Sequence, residues 1–217
     1  MSGKTGIAPH GATFFDCDSP LSAAAARAFR SAGFSGAARY LSLTMGQIEG
    51  DLSTGECAIL LAAGLAIVPV QHVRRAGWVP SALTGAHDGR AAGWNAGQLG
   101  VPKGVCLWLD LEGVAANVQS RDVIGHVNSW VGAVGQFGYV GALYVGANCA
   151  LTPVQLYNDL ATEHYWRSGS ESAPTPAKRG AQILQRIENK SIADIGYDTD
   201  TVQMDHLGGL PVWWIAG

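Results

Sequence analysis

Short apolar runs alternate with capped helical segments along most of this chain, and few folds accommodate that rhythm. Ala12–Asp16 reads as a first strand. Ser19-Pro20 follows as an N-cap with proline at the first helical position, and the Ala-rich helix Leu21–Ala32 stops at Gly33. Gly36–Leu41 reads as a second strand. Ser53, with Glu56 three residues on, forms a capping box for a helix ending near Gly64, and Leu65–Val73 is a buried strand. His87–Leu99 reads as a helix despite its glycines, Val105–Leu111 as the fourth strand, and Ser120 caps a helix from Arg121 to Phe137. Ala142–Val145 is a fifth strand, and Thr152-Pro153 with Gln155 opens another capped helix. Later runs at Thr162–Trp166, Ala181–Leu184 and Thr201–Met204 lie too close together for full helices between all of them.

This alternation implies an α/β fold with a largely parallel sheet. About seven or eight strands in one unit point to a TIM-barrel-like (β/α) barrel, which ordinarily takes about 250 residues. The chain has 217, and the shortfall lies in the last third, where the helices should be short or missing. A doubly wound open sheet is the alternative, weakened because no GxGxxG or GxxxxGK[ST] pattern marks a strand–helix junction. Residues 12–217 are expected to form one domain behind an N-terminal extension, residues 1–11.

Hydrophobic residues make up 47% of the chain and charged ones 14%, which excludes intrinsic disorder. The net charge is -3 and no Lys/Arg run occurs, so no nucleic-acid footprint is expected. The longest apolar stretch, Cys57–Val70, is broken by Gly64 and Pro69 and is too short for a membrane span. No apolar segment follows Lys4 to make a secretory signal peptide, so the chain is expected to be cytoplasmic by default or exported by another route. Cys17, Cys57, Cys106 and Cys149 are widely spaced and read as buried small hydrophobes rather than a zinc site or disulfide framework.

The acids are sparse but clustered. Asp16 and Asp18 end the first strand, Asp110 and Glu112 end the fourth, and Asp198 and Asp200 repeat the spacing near the C-terminus. Strand alternation puts Cys106, Trp108, Asp110 and Glu112 on one face. In a parallel barrel the C-terminal strand ends form the mouth, so the three pairs should converge on one cleft. Like charges held together push at least one pKa upward and create a proton donor at neutral pH. Glycosidic cleavage uses that pairing: an acid for the leaving oxygen and a carboxylate as nucleophile, base or stabiliser. Trp78, Trp94, Trp108, Tyr144, Tyr165 and Trp166 could stack on sugar rings or fill the core. His72 could be a ligand or a polar wall of the cleft. No GxSxG elbow or nucleophilic Cys context is present.

Several segments carry a resemblance: Phe14-Phe15-Asp16-Cys17-Asp18-Ser19-Pro20, Ala38-Arg39-Tyr40-Leu41, Val68-Pro69-Val70-Gln71-His72, Trp108-Leu109-Asp110-Leu111-Glu112-Gly113, Leu143-Tyr144-Val145-Gly146 and His164-Tyr165-Trp166-Arg167. Together they resemble the bacterial glycoside hydrolase-like domain family, related to the lysozymes of glycoside hydrolase family 25, from about Ala12 to Trp214. The resemblance implies a TIM-barrel-like fold and a cleft holding Asp16, Asp110, Glu112 and Asp198. It implies Glu112 as general acid, with Asp110 or Asp198 stabilising the oxocarbenium-like charge or orienting substrate. Gln182 resembles the Gln after strand seven, and Tyr144 the strand-five Tyr. Gln71-His72 departs from the family's aromatic third-strand signature, and either Asp198 or Asp200 can take the late-strand place.

The expected function is thus glycosidase-type hydrolysis of peptidoglycan or a related bacterial polysaccharide, with no cofactor and no metal. Asp18, His72, Trp108, Tyr144, Trp166, Gln182 and Asp200 are the further substrate-binding candidates. A non-catalytic sugar-binding module on the same barrel is the competing reading. A metal-dependent hydrolase using Asp16, Asp18, Asp110, Glu112 and His72 ranks last, for want of tight ligand spacing.

Overall fold

The computed structural model describes residues 3–217. In chain order the elements are β1 (Gly3–Ile7), β2 (Thr13–Asp16), α1 (Ala23–Ser31), β3 (Gly36–Leu41), α2 (Thr54–Ala62), β4 (Ala66–Gln71), α3 (Ala82–Leu99) and β5 (Cys106–Leu111). Then come α4 (Ser120–Gln136), β6 (Val140–Val145), α5 (Pro153–Asn158), β7 (Tyr165–Arg167), β8 (Ile183–Ile192), β9 (Ile195–Val202) and β10 (Val212–Ala216). Strands β2 to β8 pair in parallel around a ring, with β4 beside β5, and β9 closes it by running antiparallel to both β8 and β2. The result is a closed eight-stranded, TIM-barrel-like fold with helices between the early strands. Beyond α5 the described residues hold no helix, so the last third is simplified as its spacing implied. β1, inside the segment read as an extension, pairs antiparallel with β10, and Trp214 of β10 joins Ile67 of β4.

Period-two alternation divides the core. Phe14, Ala38, Val68, Trp108, Ala142, Trp166, Ile183 and Val202 point into the barrel and form one buried cluster. Phe15, Leu41, Ile67, Leu107, Leu109, Leu143 and Val145 point outward against the helices and form the other. The α3 glycines have a packing reason. A Cβ at Gly89 would lie 2.6 Å from the Trp130 carbonyl oxygen, and one at Gly93 would lie 2.5 Å from the Phe137 ring. Gly85, Gly89 and Gly93 recur every four residues, so one bare helix face lets α4 approach closely.

Several local expectations need correction. Ser22, not Ser19, caps α1, accepting from Ala25 N. α3 begins earlier than His87, because Ser81 and Thr84 make a reciprocal capping box. Ser120 is the first residue of α4 rather than its cap, and its hydroxyl bonds the Ala150 carbonyl. Ser53 caps α2, but the Glu56 carboxylate does not complete a box. It turns inward to accept from Leu21 N and Arg39 Nε at 2.9 and 2.8 Å. Tyr197-Asp198-Thr199-Asp200 lies within β9, and the strand read at Thr201–Met204 in fact starts at Ile195. The inward-pointing Asp198 and Asp200 interrupt the apolar pattern in the first part of that strand.

Candidate active site

The inward face that is apolar at mid-barrel becomes polar at the mouth. Two residues beyond Phe14 comes Asp16, beyond Ala38 comes Tyr40, beyond Trp108 comes Asp110, beyond Ala142 comes Tyr144, and beyond Ile183 comes Gln185. Because β9 runs the other way, its early residue Asp198 reaches the same level, opposite Asp16 in register. These side chains, with Asp18, Glu112, Trp166, Ser168, Glu188, Lys190 and Tyr197, line a cleft of ≈ 820 Å³. Trp166 floors it, set edge-on against Phe14, Trp108 and Tyr144 at centroid distances of 5.4, 5.7 and 5.1 Å.

The segment after Asp16 is held from outside the barrel. Arg39, fully buried on the outer face of β3, donates Nη1 to the Cys17 carbonyl at 2.6 Å and Nη2 to the Gly50 carbonyl at 2.8 Å. Its ion pair with Glu56 ties β3 to α2. Glu112 lies one residue past β5, where the Trp78 indole donates to its carbonyl at 2.9 Å. Gly146 packs so tightly on the Glu112 side chain that any Cβ there would displace the carboxylate. Asp198 accepts the Glu188 N–H at 2.7 Å, bridging an irregularity in the β8–β9 hairpin.

The electrostatics are lopsided. Asp16, Asp18, Asp110, Glu112, Glu188 and Asp198 meet only Lys190 among the described basic residues of the lining, and Glu188 holds that ammonium at 2.7 Å. Burial, then the charges of Glu112, Asp16 and Asp18, pushes Asp110 well above the usual carboxylate range. One of its oxygens, Oδ1, is buried without a hydrogen-bond partner among the described residues. Burial also raises Asp16, opposed by the hydrogen bond from Gln185. Burial alone raises Glu112, which is half-buried at the mouth. Asp200 sits below this layer, fully buried, and is raised well above its usual range by burial and then by Asp16.

Asp16, Asp18, Asp110, Glu112, Tyr144, Trp166 and Asp198 therefore share one cleft, whereas four other candidates lie off its lining. His72 bonds Asp51 at 2.7 Å and stacks on the far side of Tyr40 at 4.3 Å. Trp108 is buried beneath Trp166, and Asp200 beneath Asp16 and Asp198. Gln182 accepts from the His164 ring at 2.7 Å and donates to Asp205 at 2.8 Å on the other side of its strand. Parity explains this: Ile183 and Gln185 face inward, so Gln182 faces outward. Gln185 occupies the cleft instead, donating to Asp16 Oδ2 and accepting from the Tyr144 hydroxyl, each at 2.9 Å. Counting by two from a buried Ile would have found Gln185, as counting from Ala38 would have found Tyr40. The four cysteines are buried and free. Among the described residues no group of three or more His, Cys, Asp or Glu side chains is placed to hold a metal ion. No described helix is long and apolar enough to cross a membrane.

No curated protein sequence matches the chain. Among solved structures, the Tat-secreted protein Rv2525c of Mycobacterium tuberculosis, in complex with L-tartrate, superposes with a TM-score of 0.68 at 18% identity. That match covers 89% of this chain and 96% of the other. A bacterial lysozyme from Streptomyces coelicolor matches with a TM-score of 0.61 at 12% identity, over 90% of this chain and 93% of the other. The modular autolysin LytC of Streptococcus pneumoniae, in complex with a synthetic peptidoglycan ligand, matches with a TM-score of 0.64 at 10% identity. Here 94% of this chain is covered and 47% of the autolysin. At these identities the structural matches establish the fold. The family description "Rv2525c-like, glycoside hydrolase-like domain" fits residues 27–205, and the chain belongs to that family.

Proposed function

We propose that the barrel mouth hydrolyses a glycosidic bond in peptidoglycan or a related bacterial polysaccharide. The observation that carries this reading is a single cleft in which a half-buried Glu112, its carboxyl raised by burial, stands with Asp16, Asp110 and Asp198 beside Tyr40, Tyr144 and Trp166. In it, Glu112 gives its proton to the leaving oxygen as the glycosidic C–O bond breaks, a water molecule forms the new C–O bond at the sugar carbon, and the proton that water loses restores the Glu112 acid. A neighbouring side chain, Asp16 or Asp198, offsets the positive charge that develops on the sugar ring. The aromatic side chains offer apolar faces to sugar rings. Membership of a glycoside hydrolase-like family and a barrel shared with lysozymes and a peptidoglycan-bound autolysin support the substrate class. A wall glycan places the site of action outside the cytoplasm, and secretion of the Mycobacterium tuberculosis relative supports that placement.

Release of soluble sugar fragments from purified peptidoglycan tests the reading. Glu112→Gln should lower release by at least about 10²-fold, the usual worth of a general acid, without unfolding the protein. Undiminished release would overturn the assignment. Release by the wild type should survive a chelator, and it should fall as pH rises through the titration of Glu112.

A second reading is a sugar-binding module without turnover. It is favoured by Asp110, whose burial and acidic neighbours leave no ready carboxylate at the end of β5. Wild-type protein that sediments with the glycan and releases nothing would establish it.

A further inference from the structure

Asp200 is buried one layer below the cleft, opposite Phe14 in the β2–β9 register, and it is not solvent-accessible. Its Oδ1 accepts from Trp166 Nε1 at 2.8 Å. Its Oδ2 meets no N–H or O–H donor among the described residues, and the group beside it is the Asp16 carboxyl. Two facing carboxylates are both acceptors, so a hydrogen bond forms between them only if one keeps a proton. Asp16 opens on the cleft and already accepts from Gln185 Nε2 at 2.9 Å, which favours its ionised form. Asp200 is fully buried with one donor among the described residues, which favours its neutral form.

We propose that Asp200 is a positioning residue: it keeps a proton, donates it as a hydrogen bond to Asp16, and with Gln185 sets the direction and charge of that cleft carboxylate. Gln185 in turn accepts from the Tyr144 hydroxyl and from Gly169 N, so the pair is wired across β9, β2, β8 and β6. The titratable groups that face it are Asp198 on β9, Asp18 beyond β2, Asp110 on β5, Tyr40 on β3 and Tyr144 on β6. The catalytic meaning of an oriented Asp16 rests on the glycosidase reading above; the shared proton does not.

Residue-assigned carboxyl-carbon NMR of the full chain between about pH 3 and 9 tests it. The Asp200 carbon should keep its protonated-acid position through pH 7. Asp200→Asn still offers a donor to Asp16 and an acceptor to Trp166, so it should leave the Asp16 midpoint within about half a pH unit. Asp200→Ala removes the donor and should raise that midpoint by about one pH unit, a tenfold change in the ionisation constant. An Asp200 ionised at pH 7 would overturn the proposal, and Asp200→Asn would then lower the Asp16 midpoint by removing a neighbouring charge. If Asp200→Ala does not fold, the wild-type and Asp200→Asn titrations decide by themselves. These titrations need no turnover. A protein that releases no sugar but keeps the Asp200 proton sinks the glycosidase reading alone, and one that cleaves glycan with Asp200 ionised sinks only this proposal.

Discussion

At the scale of single residues, the cleft concentrates groups whose folded environment opposes their charge. Asp110 is the plainest case, because it is buried, surrounded by other acids and has one oxygen without a partner among the described residues. Such a group costs stability, so Asp110→Asn should raise Tm by about 3 °C or more, the shift about 1 kcal/mol produces in a domain of this size. Calorimetry checks this, and an unchanged or lower Tm would mean that the Asp110 carboxyl contributes to the fold. The acids on β2 and after β5 were legible in the sequence because each follows an apolar run whose parity is plain. Gln182 stands one residue before Ile183 and Gln185 two after it, so alternation puts only Gln185 on its face, but which face points into the barrel is decided by the strand pairing.

Among the elements, α3 and α4 show what local propensity hides. Glycines weaken an isolated helix by about 1 kcal/mol each, yet those of α3 are what admits α4. Gly89→Ala should lower stability by about 1–3 kcal/mol, because the added methyl meets the Trp130 backbone, which has no rotamer with which to move away. Gly132→Ala on α4 adds its methyl in open space and should raise stability by about 0.5–1 kcal/mol. Urea unfolding of both variants tests the contrast, and two changes of the same sign would refute it. Glu56 carries a similar lesson, for its spacing from Ser53 fits a capping box while a buried guanidinium claims the carboxylate. A cap motif is local, whereas Arg39 is brought to it only by the β3–α2 connection.

Over the whole molecule, the retained protons should appear in the pH dependence of stability. Burial raises folded Asp110 and Asp200 well above their usual range, so the folded chain binds those protons more tightly than the unfolded one, and stability falls as pH rises above about 4. Buried His126, lowered to about 4 mainly by burial against the opposing charge of Asp88, works the other way below about pH 6.5. The fall should therefore steepen above that pH and flatten in Asp110→Asn, and a Tm that climbs from pH 6.5 to 8 would contradict it. The sequence by itself determined the α/β rhythm, the barrel, its thinned last third and the acids at the first and fourth strand ends. Periodicity and capping are local, and they survive in a linear string. Only the tertiary structure decided that β9 closes the barrel antiparallel, that Asp198 reaches the mouth while Asp200 lies beneath it, and that Gln185 faces Asp16. Strand direction and register are set by which residues meet across the barrel, far apart along the chain.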